Sequence, residues 1–286
     1  MRAVKLCIAV AFAVVRTVRA GAFLLAGIPV SPTFVVLMYH SVKRGERDRF
    51  ARQMDRLLKL AKPVPADFVC EGGRGRGNFV AVTFDDGYAS VAENALPVIV
   101  ERGIPASLFV PTKYLGGRPD WIRSPGSRDA AERILSAGEL IRVSEMRGVV
   151  IGSHSLSHRP LAEISQSEAF AELVESRGTL ERLLGRRVGL CALPYGSSSP
   201  AVLRLSKQAG YERVFLGSPL SLARSVKGHV AGRIGVSPGD WPLEFRLKVR
   251  GAYDWLPVAI AAKGKVRSLL RRSQRISGDA VRGTEQ

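Results

Sequence analysis

The distribution of apolar and polar residues along the chain predicts an alternation of buried strands and amphipathic helices. Short apolar runs end at polar residues, and the segments between them carry apolar residues at helical spacing, as do Phe50, Met54 and Leu57. The pattern predicts strands over 34–39, 80–84, 107–110, 149–153, 188–193 and 213–216, and helices over 47–60, 90–102, 139–146, 167–184 and 200–209. Alternation sustained over this length is typical of a parallel α/β fold, either a barrel or an open sheet.

The size and composition of the chain indicate one catalytic domain with short tails. The chain has 286 residues, 46% of them hydrophobic, which is enough to bury a full core. We place the catalytic domain at 33–245, after an apolar and basic segment over 1–32 and before a basic extension over 246–286. Cys7, Cys70 and Cys191 lie far apart without CxxC spacing, so neither a disulfide framework nor a thiolate zinc site is indicated.

The charge of the chain predicts an anionic partner. The formal net charge is +18, and basic residues are dense at both ends. This distribution favours an anionic membrane surface over nucleic acid, which is not expected because no stacking-aromatic motif accompanies the charge. A solvated basic tail is the alternative. The residues concerned are Arg2, Lys5, Arg16, Arg19, Lys263, Lys265, Arg267, Arg271, Arg272 and Arg275.

The first thirty residues fit two descriptions. The apolar run over 6–15 has the length of a signal-peptide core, and the segment over 18–20 loosely fits a cleavage site, although Arg16 and Arg19 interrupt the pattern. The run is too short to span a bilayer unless both arginines are buried. We therefore expect a signal-like segment or a membrane-surface helix, and a location in the cell envelope or at a membrane, either exported or on the cytoplasmic face.

Two segments, 83–87 and 154–158, carry the chemistry of a hydrolytic metal site. Asp85 and Asp86 follow one predicted strand and His154 follows another, so these side chains are expected at strand carboxyl ends, where α/β folds build active sites. Because side chains alternate along a strand, one aspartate is expected to bind a metal and the other to act as base. With His158, the set suits an open three-ligand zinc site. Taken singly, each motif is also compatible with a polar turn.

Five ordered segments of the chain resemble the polysaccharide deacetylase family, the NodB-homology domains of carbohydrate esterase family 4. The segments at 83–87 and 154–158 resemble its first two motifs, and 193–196, preceded by 183–185, resembles the third. Segments 38–42 and 104–110 match flanking regions, so that the likeness covers about 35–236. The sequence Cys-Ala-Leu-Pro-Tyr-Gly resembles that of a bacterial subgroup with Phe-Ala-Tyr-Pro-Tyr-Gly.

The resemblance implies a distorted (β/α)7-8 barrel that removes N-acetyl groups from amino sugars of an envelope polysaccharide, an exopolysaccharide or a lipid-linked glycan. It implies Asp85 as general base and the backbone NH of Tyr195 as oxyanion donor, with Pro194 fixing the local backbone. The ligands that it implies for a divalent metal, usually zinc, are Asp86, His154 and His158.

The chain lacks a clear match to two functional residues of the family pattern, the arginine that orients the base and the histidine that acts as general acid. Many members have an arginine that orients the base where this chain has Ala192, and Arg233 is the candidate substitute, the alternative being an ordinary surface arginine. The late Leu-x-His motif that supplies the general acid has no clear match, so the acid candidates are His229, then His40, then solvent. These departures motivate one alternative function, a catalytically impaired carbohydrate-binding protein on the same barrel. A deformylase or deacylase of another lipid-linked amino sugar is a further alternative.

Overall fold

A computed structural model describes residues 2–26, 32–69, 77–124, 126–218, 228–256 and 259. The strands are β1 (Thr33–Tyr39), β2 (Lys62–Pro63), β3 (Asn78–Phe84), β4 (Ala106–Val110), β5 (Val149–Ser153), β6 (Leu190–Ala192), β7 (Arg213–Phe215), β8 (Val230–Ala231) and β9 (Ile234–Gly235). The helices are α1 (Arg2–Leu25), α2 (Arg47–Leu60), α3 (Ala89–Asn94), α4 (Leu96–Glu101), α5 (Ala137–Ser144), α6 (Gln166–Leu184), α7 (Pro200–Gln208) and α8 (Pro242–Val249).

The strands form one parallel sheet that curls on itself. Its order is β8-β7-β6-β5-β4-β3-β1-β9, with β2 beside β3. The outer strands β8 and β9 are joined through Gly232 and Arg233 alone, and two residues span too short a distance to connect separated edges. The two edges of the sheet therefore meet at this connection. The predicted α/β barrel is confirmed as a curled parallel sheet surrounded by helices.

Side-chain alternation along the strands divides the apolar residues between two cores. On β1, Val35 and Leu37 pack outward under the helices, whereas Phe34 and Val36 pack inside the barrel. On β3, the Ala81 side chain lies in the interior. Because side chains alternate along a strand, those of Thr83 and Asp85 are expected to point inward as well. The end of β3 thus directs a side chain into the mouth of the barrel.

Two predicted elements differ from the structure. The helix predicted over 90–102 is divided into α3 and α4, because Pro97 lacks an NH donor and its ring conflicts with the carbonyl four residues earlier. The two-residue strands β2, β8 and β9 were not predicted, since two residues are too few to show an alternating pattern.

The predicted domain boundary at 245 is wrong, because it cuts through α8. Phe245 and Val249 of that helix both pack into the main core, so the domain extends through α8. The basic residues from Lys263 onward and Cys70 lie outside the described residues.

The N-terminal segment forms one continuous helix rather than a short apolar run. Among the described residues, 2–23 is long and apolar enough to cross a membrane by length and composition, a test that N-terminal signal sequences also pass. The helix continues through Arg16 and Arg19, so the apolar run over 6–15 is only part of it.

Candidate active site

Asp85 and Asp86 emerge together from the carboxyl end of β3 and diverge at once. Asp85 continues the inward alternation of the strand, whereas Asp86 has a φ of 66° and turns its side chain aside. Gly87 follows with a φ of 63°, and a Cβ atom there would lie 2.9 Å from a methyl carbon of Val110. The glycine is thus required on conformational and steric grounds, and it allows two adjacent carboxylates to face different partners.

His154 and His158 approach Asp86 from the loop after β5. The Nδ1–H group of His154 donates to the carbonyl oxygen of Ala192 at 2.8 Å, which leaves its Nε2 lone pair 3.4 Å from Asp86 Oδ1. The Nε2 atom of His158 lies 3.2 Å from the same oxygen. One ligand atom from each of the three residues lies within 4.8 Å of the other two. The structure therefore brings together the three residues that were predicted to bind a metal.

The chemistry of this cluster fits a divalent cation. All three residues are buried, and within the described part of the chain Asp86 Oδ1 and His158 Nδ1 are buried without hydrogen-bond partners. Burial would raise the pKa of Asp86, but the two imidazoles outweigh burial and hold that pKa well below its usual range. Burial lowers the pKa of His158, which favours the neutral imidazole that a metal requires.

Arg233 lies at the seam of the barrel and binds Asp85 with both nitrogens of its guanidinium fork. Its NH1 and NH2 groups donate to Asp85 Oδ1 and Oδ2 at 2.5 and 2.7 Å. Arg233 is 1% exposed and its guanidinium stacks over Phe109 in the barrel interior, so it is not an ordinary surface arginine. Burial would raise the pKa of Asp85, but Arg233 and His154 outweigh burial and keep the carboxylate ionised.

Backbone strain is concentrated around these residues. In the described part of the chain, positive φ angles at non-glycine residues occur at Asp86, Ser155, His158 and Tyr195, with φ between 56° and 66°. Such conformations cost about 1–3 kcal/mol each and persist only where the surrounding structure enforces them. Asp86 and His158 belong to the cluster of Asp86, His154 and His158, called here the metal-type cluster. Tyr195 contacts the His158 ring at the edge of this cluster. The fold therefore maintains strain where the side chains converge.

Tyr195 borders the site from the loop after β6. Pro194 begins a single 3-10 turn there, and the Tyr195 ring lies edge-on to His158 with 4.8 Å between ring centroids. Tyr195 is 64% exposed, so it faces solvent at the edge of the site. Gly196 follows with positive φ, and a Cβ atom there would lie 2.7 Å from the backbone nitrogen of Gly217. This close approach fixes the turn.

Sequence reasoning missed several aromatic residues at the site. Trp121 stacks on His158 at 4.0 Å between ring centroids and 14° between planes, and Tyr114 packs edge-on against Trp121. Tyr88 is buried against Asp86, and burial together with that carboxylate raises the pKa of its hydroxyl. The segment over 114–128 contains Tyr114 and Trp121, but no pattern in its sequence shows which ring would stack on His158.

Glu172 of α6 holds the histidine loop and was also missed. Its carboxylate accepts hydrogen bonds from the backbone NH groups of Leu156 and Ser157 at 3.0 and 2.8 Å, and from the Ser157 hydroxyl. The residue is buried under the segment between His154 and His158. Its sequence signal, a polar residue on the inner face of a helix, does not identify which loop it binds.

We expect Glu172→Gln to weaken the affinity of the cluster for a divalent metal, with zinc as the probe, about ten- to a hundredfold, because an amide has a single acceptor oxygen and brings NH donors toward the loop. Competition with a chelator of known affinity would measure the change. Glu175→Gln is the matched control, since Glu175 lies on the same helix and is exposed. Equal zinc affinities in the two variants would show that Glu172 does not position the ligands.

The two acid candidates lie at opposite ends of the sheet. His229 precedes β8, and its ring nitrogens contact the Ser206 hydroxyl at 3.1 Å and the Glu212 carbonyl at 3.0 Å, at the amino end of β7. The ranking of His229 first is therefore wrong. His40 is exposed at the carboxyl end of β1, the end of the sheet at which the other site residues lie. Burial would raise the pKa of Asp85 and of Asp86, but nearby positive groups, among them His40, hold both pKa values below their usual range.

The fold and the site together define an α/β-barrel hydrolase. The polysaccharide deacetylase family model matches residues 72–214, half of the chain, including the motifs at 83–87, 154–158 and 193–196. The chain belongs to the polysaccharide deacetylase family. It is accordingly an amide hydrolase that acts on N-acetyl groups of polysaccharide. His40 and Arg233 lie outside the matched range, so their placement depends on the structure.

Known proteins share the fold at low sequence identity. YxkH of Bacillus subtilis (strain 168), a proposed polysaccharide deacetylase, is 22% identical over 214 residues, 71% of each chain. IcaB from Ammonifex degensii superposes with a TM-score of 0.64 and 23% identity, covering 77% of this chain and 98% of IcaB. The Streptococcus pyogenes deacetylase PplD, solved with acetate, has a TM-score of 0.58 and 16% identity, covering 73% of this chain and 95% of PplD.

Proposed function

We propose that the protein is a zinc-dependent deacetylase that removes N-acetyl groups from the amino sugars of a cell-envelope glycan. The observation that carries the proposal is the convergence of Asp86, His154 and His158 beside the Asp85–Arg233 pair. A carbohydrate-binding module would need neither a buried base nor strained ligands.

Asp86, His154 and His158 would hold the metal. When bound, zinc supplies the Lewis acidity that makes water a nucleophile near neutral pH and polarises the amide carbonyl. Tyr195 and Trp121 both contact the His158 ring, and the N-acetyl group would lie beside these two residues.

Asp85 would act as the general base. Arg233 occupies one acceptor direction on each carboxylate oxygen, which leaves other lone pairs to receive a proton from the attacking water. The low pKa of Asp85 keeps the carboxylate ionised before the reaction. Arg233 would thus orient the base, in the role proposed for it from the sequence.

The remaining steps need an oxyanion donor and an acid. The backbone NH of Tyr195 would stabilise the tetrahedral oxyanion, a contribution of about 2.7–4 kcal/mol in comparable sites. His40 would protonate the sugar nitrogen as the C–N bond breaks, so that acetate and a free amine are released. His40 replaces His229 in this role because it lies at the carboxyl end of the sheet with the other site residues.

The test is to incubate zinc-loaded protein with N-acetylglucosamine oligomers, N-formyl analogues and lipid-linked amino sugars, and to measure released acetate and formate. Acetate release that a chelator abolishes and zinc restores would support the proposal. Chelator-resistant acetate release would refute the metal dependence. Formate release alone would instead favour the deformylase alternative, and glycan binding without hydrolysis would favour the impaired binding protein.

His40→Ala is expected to lower kcat about 10²-fold, because it removes the group that protonates the leaving amine. Steady-state kinetics on the best oligomer would measure kcat and KM separately. His229→Ala is the matched control and should keep the wild-type kcat. A His40 variant in which KM rises and kcat is unchanged would assign His40 to sugar positioning instead.

A further inference from the structure

The helix α1 lies along the catalytic domain. Ala9 is fully buried against α8 and the turn that follows it, together with Leu6 and Ala13. Arg2 pairs with Glu244 at the start of α8 and lies over the ring of Trp241. Fourteen residues later, Arg16 donates to the carbonyl of Gly251, just after α8 ends.

The two arginine contacts fix the direction of α1. Fourteen residues of helix rise about 21 Å. Both ends of that distance contact one domain, so the helix lies flat against it, and a helix docked in this way cannot also cross a bilayer.

The apolar face of α1 points away from the protein. On α8, Phe245 and Val249 pack into the barrel core, whereas Leu247 on the opposite side is buried with Ala9. α8 therefore lies between α1 and the barrel, and α1 forms an outer layer. The residues on its outer side are exposed apolar side chains: Val4, Ile8, Val10, Val14, Val15, Val18 and Leu25.

Charge and apolar surface are separated around the helix. At about 100° per residue, the four cations Arg2, Lys5, Arg16 and Arg19 fall within an arc of about 100° that overlaps the docked side at Ala9. The exposed apolar residues occupy a separate arc of about 160°. A bilayer-spanning helix has no reason to collect its charges on one side, whereas a helix at a membrane surface does. Lys5 and Arg19 are exposed and border the apolar arc.

The surface next to α1 continues the same chemistry. A groove between α2 and α8 is lined by Leu60, Pro242 and Leu243 together with the cations Arg56, Lys59 and Arg246. Trp241, over which Arg2 lies, directly precedes Pro242 of this groove in the chain. Apolar side chains among cations are complementary to an anionic lipid headgroup layer.

We propose that α1 is an in-plane membrane helix, clamped to the catalytic domain, whose valine-rich face inserts into the surface of a bilayer containing anionic lipids. This arrangement differs from attachment by basic termini alone, since Arg2 and Arg16 bind the domain and the apolar face enters the lipid. It holds the side of the barrel at α8 against the membrane.

Flotation of the full-length protein with vesicles of phosphatidylcholine, with or without one quarter phosphatidylglycerol, tests the surface. Wild-type protein should float with the anionic vesicles, and Val14→Asp combined with Val18→Asp should reduce its partitioning at least tenfold. Val174→Asp is the matched control, because Val174 is an exposed helical valine on α6. Equal flotation of the double variant and the control would overturn the proposal. The proposal would also fail if the wild-type protein did not bind vesicles but formed a dimer, and the double variant were monomeric.

Depth measurements distinguish an in-plane helix from a spanning one. A single fluorophore reports its depth in the bilayer through quenching by spin-labelled lipids. It would be attached in turn at Cys7, Val14→Cys or Val18→Cys. All variants carry Cys70→Ser, and the Val14→Cys and Val18→Cys variants also carry Cys7→Ser. Cys191 is buried, and burial raises the pKa of its thiol to about 12, so it stays unlabelled. An in-plane helix gives the same shallow depth at all three positions. A depth gradient over the roughly 16 Å between Cys7 and position 18, or water exposure at all three, would refute the proposal.

Discussion

Replacing Asp85 by asparagine is expected to lower kcat about 10²- to 10⁴-fold, the usual contribution of a general base, while zinc content stays unchanged. Asparagine preserves the shape of the side chain and removes its capacity to accept a proton from water. The candidate metal ligands include Asp86, whereas the Asp85 carboxylate is held by Arg233, so the two effects are expected to separate. Turnover would be measured by acetate release and zinc content by elemental analysis of the purified variant.

The neighbouring substitution is the sharpest control for this result. Asp86→Asn should lose both zinc and activity, because Asp86 Oδ1 is the atom on which both imidazoles converge. Wild-type turnover in Asp85→Asn would remove Asp85 from the mechanism, and wild-type zinc content in Asp86→Asn would remove Asp86 from the ligand set.

Arg233→Met is expected to lower the free energy of unfolding by about 3–5 kcal/mol, because it leaves the buried Asp85 carboxylate without its partner. Without Arg233, burial raises the pKa of Asp85, and the destabilisation should shrink at acidic pH, where the folded variant keeps Asp85 protonated at no cost. Urea denaturation of metal-free protein at neutral and acidic pH would measure both effects. Activity should fall as well, since the base is no longer held.

Two further variants isolate the buried pair. Arg233→Met combined with Asp85→Asn should recover much of the lost stability and none of the activity, since the unpaired charge is gone and so is the base. Arg159→Met, which breaks the exposed pair with Glu168, should leave the free energy of unfolding nearly unchanged, because water screens exposed ion pairs. If Arg233→Met were no more destabilising than Arg159→Met, the buried pair would have no structural role.

Much of the fold was predictable because period-two and helical patterns report burial locally. The strands that carry the site, β3 and β5, are long enough to show their alternation, so the positions of Asp85, Asp86 and His154 at strand ends follow from the sequence. The strands that failed prediction, β2, β8 and β9, contain two residues each. Their existence depends on neighbouring strands that offer backbone partners, which no local pattern records.

The residues around the site divide in the same way. Arg233 could be named as a candidate from the sequence, but its contact joins residues 148 positions apart and exists only because the curled sheet closes at Gly232 and Arg233. The error over His229 has the same origin, since the direction of β8 decides which end of the barrel its flanking residue occupies. The contacts of Glu172 and Trp121 could not be predicted, because they depend on the paths of α6 and of the segment that carries Trp121.

The sequence by itself determined the alternation of strands and helices, the ends of the long strands and the types of residue at those ends. These properties are local, because side-chain direction and burial repeat with the backbone period. The tertiary structure alone decided which distant residues meet: Arg233 on Asp85, Glu172 under the histidine loop, and α1 on α8 with its apolar face outward. These long-range contacts depend on how the sheet closes and on which apolar surfaces are left exposed by the other elements. Both are properties of the whole chain.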